Sequence, residues 1–429
     1  MSRFSSLTLT GALLSIVATV AAQGQAPAGG RGQGGGGQQQ IALPDSAGKD
    51  IVQAACTKCH GLNQITGSAG YTREKWHELF ATMIKLPDAQ AATVSQYLAT
   101  HFPPKPGREP VLVPGPVTVT FKEWMVPTLG QRSRDPVQTP DGMIWWAGQY
   151  GNIVGRLNPR TGDMREYPLL PGTRPHSIIS DRAGAIWYMG NANGTVGKLN
   201  PATGEIIVYP LPDPAARDPH TPVFDRKGIL WFTLQNSNMV GRLNPATGEI
   251  KLVTLPTPDA DPYGIDLNSQ GVPWVAYNSS YKVASLDPVT MAVREYPLPD
   301  QKSTVRRVAI TSDDMVWYVN AALGRLGRLN PKTGEIKEWP SPSGADTQPY
   351  AITVVNDIIW YNESRRRPDA LVRFDPKTEK FQSWAIPSGV GTVRHMRPTA
   401  DGNNLLIHQT STNRIGLVTI GRTVTTSSR

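Results

Sequence analysis

Hydrophobic positions change their spacing three times along the chain. They are nearly contiguous from Leu7 to Val20 and vanish among Gly and Gln from Gln23 to Gln40. From Ile51 to Phe102 they recur at helical intervals, and beyond Pro114 they fall into short strands between turns. The first segment, closed by Ala21-Ala22, has the form of a secretory signal over residues 1–22, too short for the roughly 20 apolar residues of a membrane span. An N-terminal anchor is the alternative reading of the same run. Residues 23–42 read as a Gly/Gln-rich flexible linker. In residues 43–104, Ile51, Val52, Ala55, Cys56 and Cys59 predict a helix after an Asp45-Ser46 start. Trp76, Leu79, Phe80, Met83 and Ile84 predict a second after Thr72, and Val94, Tyr97, Leu98 and Phe102 a third from Pro87-Asp88, stopped by Pro103-Pro104.

The strand region repeats with a period of 42 to 45 residues, set by Gly155-Arg156-Leu157-Asn158-Pro159 and its successors at Gly197, Gly241, Leu286, Gly327 and Phe374. Each of these turns leads into a strand such as Arg165-Glu166-Tyr167-Pro168, so every unit holds a β-hairpin. An earlier hairpin carries the markers Trp145, Trp187, Trp231, Trp274, Trp317, Trp360 and, with Leu for Trp, Leu405. Seven units of four strands at this period predict a seven-bladed β-propeller over 115–422. The last unit lacks its Glu-Tyr-Pro strand, while Phe121-Lys122-Glu123-Trp124 is such a strand without a unit. Pairing the two closes the ring and removes the open edge. The fold class is therefore multidomain: a small all-α unit followed by an all-β propeller.

Composition narrows this further. The chain has 429 residues with 41 Gly and 38 Pro, too many breakers for a helical bundle. A formal charge of +9 favours anionic ligands or surfaces without implying nucleic acid. Neither a P-loop nor a G-x-S-x-G nucleophile elbow occurs.

The two cysteines stand in Cys56-Thr57-Lys58-Cys59-His60. Two thiols one helical turn apart suit covalent attachment to the vinyl groups of one porphyrin, with His60 carried beneath the iron. A thioredoxin-like dithiol would want a βαβ setting and a zinc site further ligands nearby, and neither context is present. Met83 is the candidate sixth ligand, its thioether favouring reduced iron; simple core packing is the competing role. His77 and His101 compete for the ligand position and fit surface or packing roles. On Cys56 to Leu62, Trp76 with Met83, and Tyr97-Leu98-Ala99, residues 43–104 resemble a compact c-type cytochrome domain, which implies haem c and an exported, periplasmic or secreted chain. A unit of about 60 residues is small for a protein core alone, so the porphyrin would serve as its hydrophobic centre.

The Gly-Arg-Leu turns and the Leu230-Trp231-Phe232-Thr233 strand resemble the streptogramin (virginiamycin B) lyase family of seven-bladed propellers. That resemblance implies elimination chemistry by a His and a Glu of one blade with a divalent cation. Glu363 matches the acidic position; Tyr350 stands where the His belongs. His176, His220, Tyr263, Tyr350 and His395 lie 10 or 11 residues before their blade markers, so radial symmetry gathers them near the axis on one face. There Glu363 and His395 are candidate catalytic residues, and Arg306 or Arg307 would favour an anionic group. Equally, such positions pin strand starts. The run Arg365-Arg366-Arg367 reads as a solvated loop.

Three functions compete. The first is an exported haem protein for electron transfer, its propeller a platform for a ligand, a redox partner protein or a small-molecule electron donor. The second is a metal-assisted lyase or hydrolase at the channel mouth. The third is a propeller that only binds a polymer or an envelope protein. A quinone-cofactor dehydrogenase also pairs these parts, by fold analogy alone. None needs a transmembrane anchor once the signal is removed.

Overall fold

The computed structural model describes residues 42–57, 61–67, 70–104, 106–389 and 392–422. The predicted signal and nearly all of the linker, together with Cys59 and His60, lie outside the described residues.

Four helices come first: α1 (Lys49–Cys56), α2 (Leu62–Gly67), α3 (Arg73–Ala81) and α4 (Asp88–His101). The predicted start at Asp45-Ser46 is displaced to Gly48, whose φ of 107° occupies the left-handed region that glycine tolerates. Asp45 instead pairs with Lys49 within the first turn. Thr72 caps α3 as its position suggests, accepting a hydrogen bond from Lys75 N at 3.3 Å. That helix stops at Ala81, so Met83 and Ile84 sit on the turn after it and not on its face. Val52, Ile65, Tyr71, Trp76, Leu79, Phe80, Val94 and Leu98 form one core, with Cys56 and Met83 packed against it. Of the competing histidines, His77 is exposed, whereas His101 lies 2.7 Å from Ser46 Oγ and packs on Tyr97.

Seven four-stranded antiparallel sheets follow. The first six run in chain order. In the seventh, Val117–Met125 pairs with Arg414–Arg422 along its whole length, Phe121 opposite Val418, so the two ends of the propeller close one sheet as the orphaned strand predicted.

The repeat phrases have local causes. Every marker Trp is buried, and all but Trp231 lie beside the aromatic residue of their blade's outer strand, as Trp317 lies stacked on Trp339 with centroids 5.5 Å apart. The residue after the marker is aromatic in several blades and lies across the Gly of Gly-Arg-Leu. A Cβ at Gly155 would stand 2.0 Å from Trp146 Cε2, and one at Gly197 would stand 1.9 Å from Tyr188 Cζ. The Glu of the outer strand clamps the loop that enters its blade. Thr128 N donates to Glu166 at 3.3 Å, Thr257 N to Glu295 at 3.0 Å, and Ser388 N to Glu123 at 3.1 Å.

Register corrects the seventh marker. Leu406 pairs with Leu417 and Ile407 with Gly416, as Trp231 pairs with Arg242 and Phe232 with Gly241, so Leu406 and not Leu405 occupies the Trp position. The turn before it is one residue longer, closed by Thr399 N to Asn404 O where blade three uses Asp225 N to Ile229 O.

The helices and the propeller are joined by backbone contacts. Gly130 N donates to Thr82 O at 3.1 Å, and Arg367 N to Arg108 O at 2.8 Å. The Arg365-Arg366-Arg367 run is not a solvated loop. Only Arg365 is exposed; Arg366 is buried against Asp346 and the carbonyls of Ser343 and Gly107, and Arg367 lies over Tyr71.

Candidate functional site

The innermost strand of each blade begins near the axis, at Ser133–Gln138, Pro175–Ser180, Pro219–Phe224, Pro262–Leu267, Val305–Ile310, Pro349–Val355 and Met396–Pro398. Its equivalent positions place Arg134, His176, His220, Tyr263, Arg306, Tyr350 and Arg394 in one ring. The next positions place Asp135, Ser177, Thr221, Gly264, Arg307, Ala351 and His395 in a second. By register, His395 therefore belongs one layer deeper than the four other histidine and tyrosine blades suggested, and Arg394 takes the place expected for it.

The upper ring is continuous from His176 round to Arg394. His176 and His220 have centroids 3.6 Å apart, His220 and Tyr263 4.2 Å. The hydroxyls of Tyr263 and Tyr350 share a short hydrogen bond, and Arg394 Nη1 donates to Tyr350 Oη at 2.9 Å. Arg306 lies over the faces of Tyr350 and Tyr263, at 4.9 and 5.8 Å from their centroids. In the lower ring Arg307 spans the channel. Its Nε donates to Arg394 O at 2.7 Å, its Nη1 reaches Thr221 Oγ1 at 3.4 Å, and its Nη2 stands 3.7 Å from Asp135. Asp135 also accepts from Ser177 and lies 3.1 Å from His395 Nδ1.

Burial and the cationic surroundings set the protonation. Burial would raise Asp135, but His395, Arg307 and Arg134 hold it well below the usual carboxylate range. Burial and then Arg134 lower His176 and His220 far below 6.5; burial, Arg307 and Arg397 do the same to His395. All three imidazoles are neutral at pH 7. Burial also pushes Tyr350 up, yet Arg394, Arg306 and Arg134 outweigh it and bring the phenol down to about 7. His408, which the sequence reading passed over, accepts from His395 N through Nε2 at 3.1 Å, which puts its proton on Nδ1, 3.0 Å from Ser133 O.

Glu363 does not join this ring. It receives Ser343 N at 3.0 Å and the Ser343 hydroxyl, which is the loop clamp that the outer-strand Glu supplies in other blades. In blade six that outer position, opposite Val372, is Ser383, so Glu363 takes over the task. Burial raises its carboxyl. Among the described residues no three His, Cys, Asp or Glu side chains gather to hold a metal ion, and the ring's arginines repel a divalent cation. The donor set there does not fit one.

A second feature lies where the helices meet the propeller. A cavity of about 200 Å³ is lined by Cys56, Trp76, Leu79, Phe80 and Met83 from the helical side. Arg132, Tyr150 and Arg394 line it from the propeller. Arg394 is thus common to cavity and ring. Of these, Arg132, Arg134, Asp135 and Arg394 were missed in the sequence reading. Counting 11 back from Trp145 reaches Arg134 as it reaches His176 from Trp187, but of the arginines only Arg306 and Arg307 were considered there.

These features define a seven-bladed propeller with a polar axial site, preceded by a four-helix unit. Residues 116–286 match the Virginiamycin B lyase family. Virginiamycin B lyase from Staphylococcus aureus superposes with a TM-score of 0.64 at 22% identity, covering 70% of this chain and 99% of that one. A streptogramin B lyase gives 0.64 at 24%, covering 71% and 98%. Kuenenia stuttgartiensis hydrazine synthase gives 0.57 at 13%, covering 68% and 96%. No curated protein matches the sequence. The propeller therefore resembles the streptogramin lyases in fold. Among the described residues no helix is long and apolar enough to cross a membrane.

Proposed function

We propose that the chain is an exported c-type haem protein for electron transfer, with residues 43–104 holding the haem against one face of the propeller. The observation that carries this is the cavity. Cys56, from the Cys-x-x-Cys-His motif, and the Met83 thioether share its wall with Trp76, Leu79 and Phe80, while Arg132 and Arg394 supply positive charge on the propeller side. An apolar cleft with one soft ligand, one attachment thiol and two guanidiniums suits a porphyrin with iron at its centre and carboxylates at its rim. At about 200 Å³ the cleft is smaller than the roughly 300–1,000 Å³ of ligand pockets, so occupancy requires its walls to part.

When bound, the haem supplies a one-electron acceptor and donor. Cys56 and Cys59 anchor it through thioethers, His60 and Met83 hold the iron, and Trp76, Leu79, Phe80 and Leu98 exclude water. Met83 sits on the turn held by Met83 N to Phe80 O at 2.9 Å, which fixes its backbone. The apolar run Leu7–Val20 supports export of such a protein to the periplasm or outside the cell, where a redox partner protein or a small-molecule donor would supply electrons. The lyase alternative, with Glu363 and His395 catalytic and a divalent cation, has less support: Glu363 clamps a loop and His395 faces Asp135.

Mass spectrometry of mature protein from a host that attaches haem tests the reading. The expected result is one covalent haem per chain that resists acid-acetone extraction, with a long-wavelength charge-transfer band lost in Met83→Ala. A mature chain without that added mass would overturn it.

A further inference from the structure

Arg306 is the most unusual residue at the axis. It is 8% exposed, yet no described carboxylate pairs with it and no described group accepts a hydrogen bond from it. Its Nε is buried without a partner, as are Arg134 Nε, Arg394 Nε and His220 Nε2 in the same ring. What Arg306 touches is aromatic: the faces of Tyr350 and Tyr263. An unpaired buried cation costs several kcal/mol unless something compensates it.

Nearby anions do not suffice. Five guanidiniums, Arg134, Arg306, Arg307, Arg394 and Arg397, lie on the inner strands. Asp135 is the anion among them, and it is engaged by Arg307, Ser177 and His395. Asp266 is pushed up to about 6 by burial, so it carries charge only partly near that pH. Arg307 closes the channel below, reaching from its own blade to Arg394 O and Thr221. The upper ring is therefore a cationic cup with a floor.

We propose that this cup, formed by Arg306, Arg134, Arg394 and His220, binds a small oxyanion, with Arg306 as its principal anchor. The Tyr263–Tyr350 hydroxyl contact and the 3.6 Å His176–His220 stack leave little width, which favours an ion of three to five heavy atoms. Carboxylates and inorganic oxyanions share the needed chemistry: two oxygens that accept from guanidinium N–H groups, as Arg recognises them elsewhere. The site's anchor does not depend on the haem reading: Arg306 and Arg134 do not line the cavity that holds Cys56 and Met83, and only Arg394 of the cup is shared with it.

The phenol of Tyr350 competes with the ligand. It faces Tyr263, Arg394, Arg306 and, electrostatically, Arg134; ionised, it occupies part of the positive field that the oxyanion needs. Binding should strengthen as pH falls through about 7 and lose that dependence in Tyr350→Phe.

Full-length protein is titrated with formate, acetate, nitrate and phosphate by calorimetry and thermal denaturation, against chloride at equal ionic strength. Saturable binding and a raised Tm with formate or acetate identify a carboxylate site, and the same result with nitrate or phosphate an inorganic one. Arg306→Gln should weaken binding at least tenfold while leaving the ligand-free Tm unchanged or higher; Arg306→Lys should fall between. A wild-type protein indifferent to all four ions, or an Arg306→Gln variant with undiminished affinity, would overturn the proposal. If that variant does not fold, Arg306→Lys and Tyr350→Phe decide it: unaltered affinity in the first and unaltered pH dependence in the second count against the site.

Discussion

The inner strands of this propeller and the three strands outside them obey different rules. Outside, most blades share residues because they share neighbours: Trp beside an outer aromatic, Gly beneath an aromatic, Glu on an entering loop. At the axis the seven equivalent positions hold Arg134, His176, His220, Tyr263, Arg306, Tyr350 and Arg394. Three residue types in seven blades cannot all serve one packing role. Repetition marks what holds the ring together, and its failure marks where the ring does something else. Glu363 shows that the distinction must be read from contacts. It departs from the repeat, but only to replace a clamp that blade six has lost to Ser383.

Substitutions at equal depth should expose the difference. Trp231 is fully buried beneath Arg242, whose guanidinium lies 5.7 Å from its ring centroid. Trp231→Ala removes apolar area and opens a cavity, and should cost about 3–5 kcal/mol in chemical denaturation. Arg306→Gln, almost as buried, should cost nothing in the absence of ligand. Equal losses would erase the contrast. Gly197→Ala comes next in size. Its Cβ would drive into Tyr188, 1.9 Å from Cζ, so the ring or the strand must shift at about 1–3 kcal/mol. A neutral result would mean that the aromatic–glycine contact does not set the blade's spacing.

The outer rules were legible in the sequence because they recur. Seven markers at one period specified seven blades, and the stranded Glu123 strand specified how they close. The axis was legible only in part. His176 and His220 were found by counting, but the same count landing on Arg134 carried no expectation, since a lone arginine is ordinarily a surface residue. His395 was placed one layer too high because a turn lengthened by one residue shifts every count across it, and only hydrogen-bond register reveals such a shift. The arginine run at 365–367 misled for a related reason. Charge runs are usually solvated, and nothing local shows that the segment near Arg108 crosses over it. In the helical unit the periodicity located α3 but carried it through Ile84, three residues past the end at Ala81, because side-chain spacing does not show where backbone hydrogen bonding stops.

The smallest signal comes from one phenol among 13 tyrosines. Burial alone would raise Tyr350 above 10, but three guanidiniums bring it to about 7, whereas burial and the neighbouring Tyr350 raise its partner Tyr263. An acid with a depressed pKa in the native state stabilises that state fully above its unfolded value near 10, and the stabilisation is lost as pH falls through about 7. Tyr263, shifted the other way, begins to oppose the native state only above 10. Between pH 7 and 10, then, Tyr350 makes stability rise with pH. Its tyrosinate absorbance should appear between pH 6 and 8, well before that of exposed tyrosines, and vanish in Tyr350→Phe. An oxyanion seated on Arg306 and Arg394 would weaken the field that depresses the phenol and move this transition upward. A transition that stays fixed as formate or nitrate is added would separate the two: the arginines would then serve the phenolate alone.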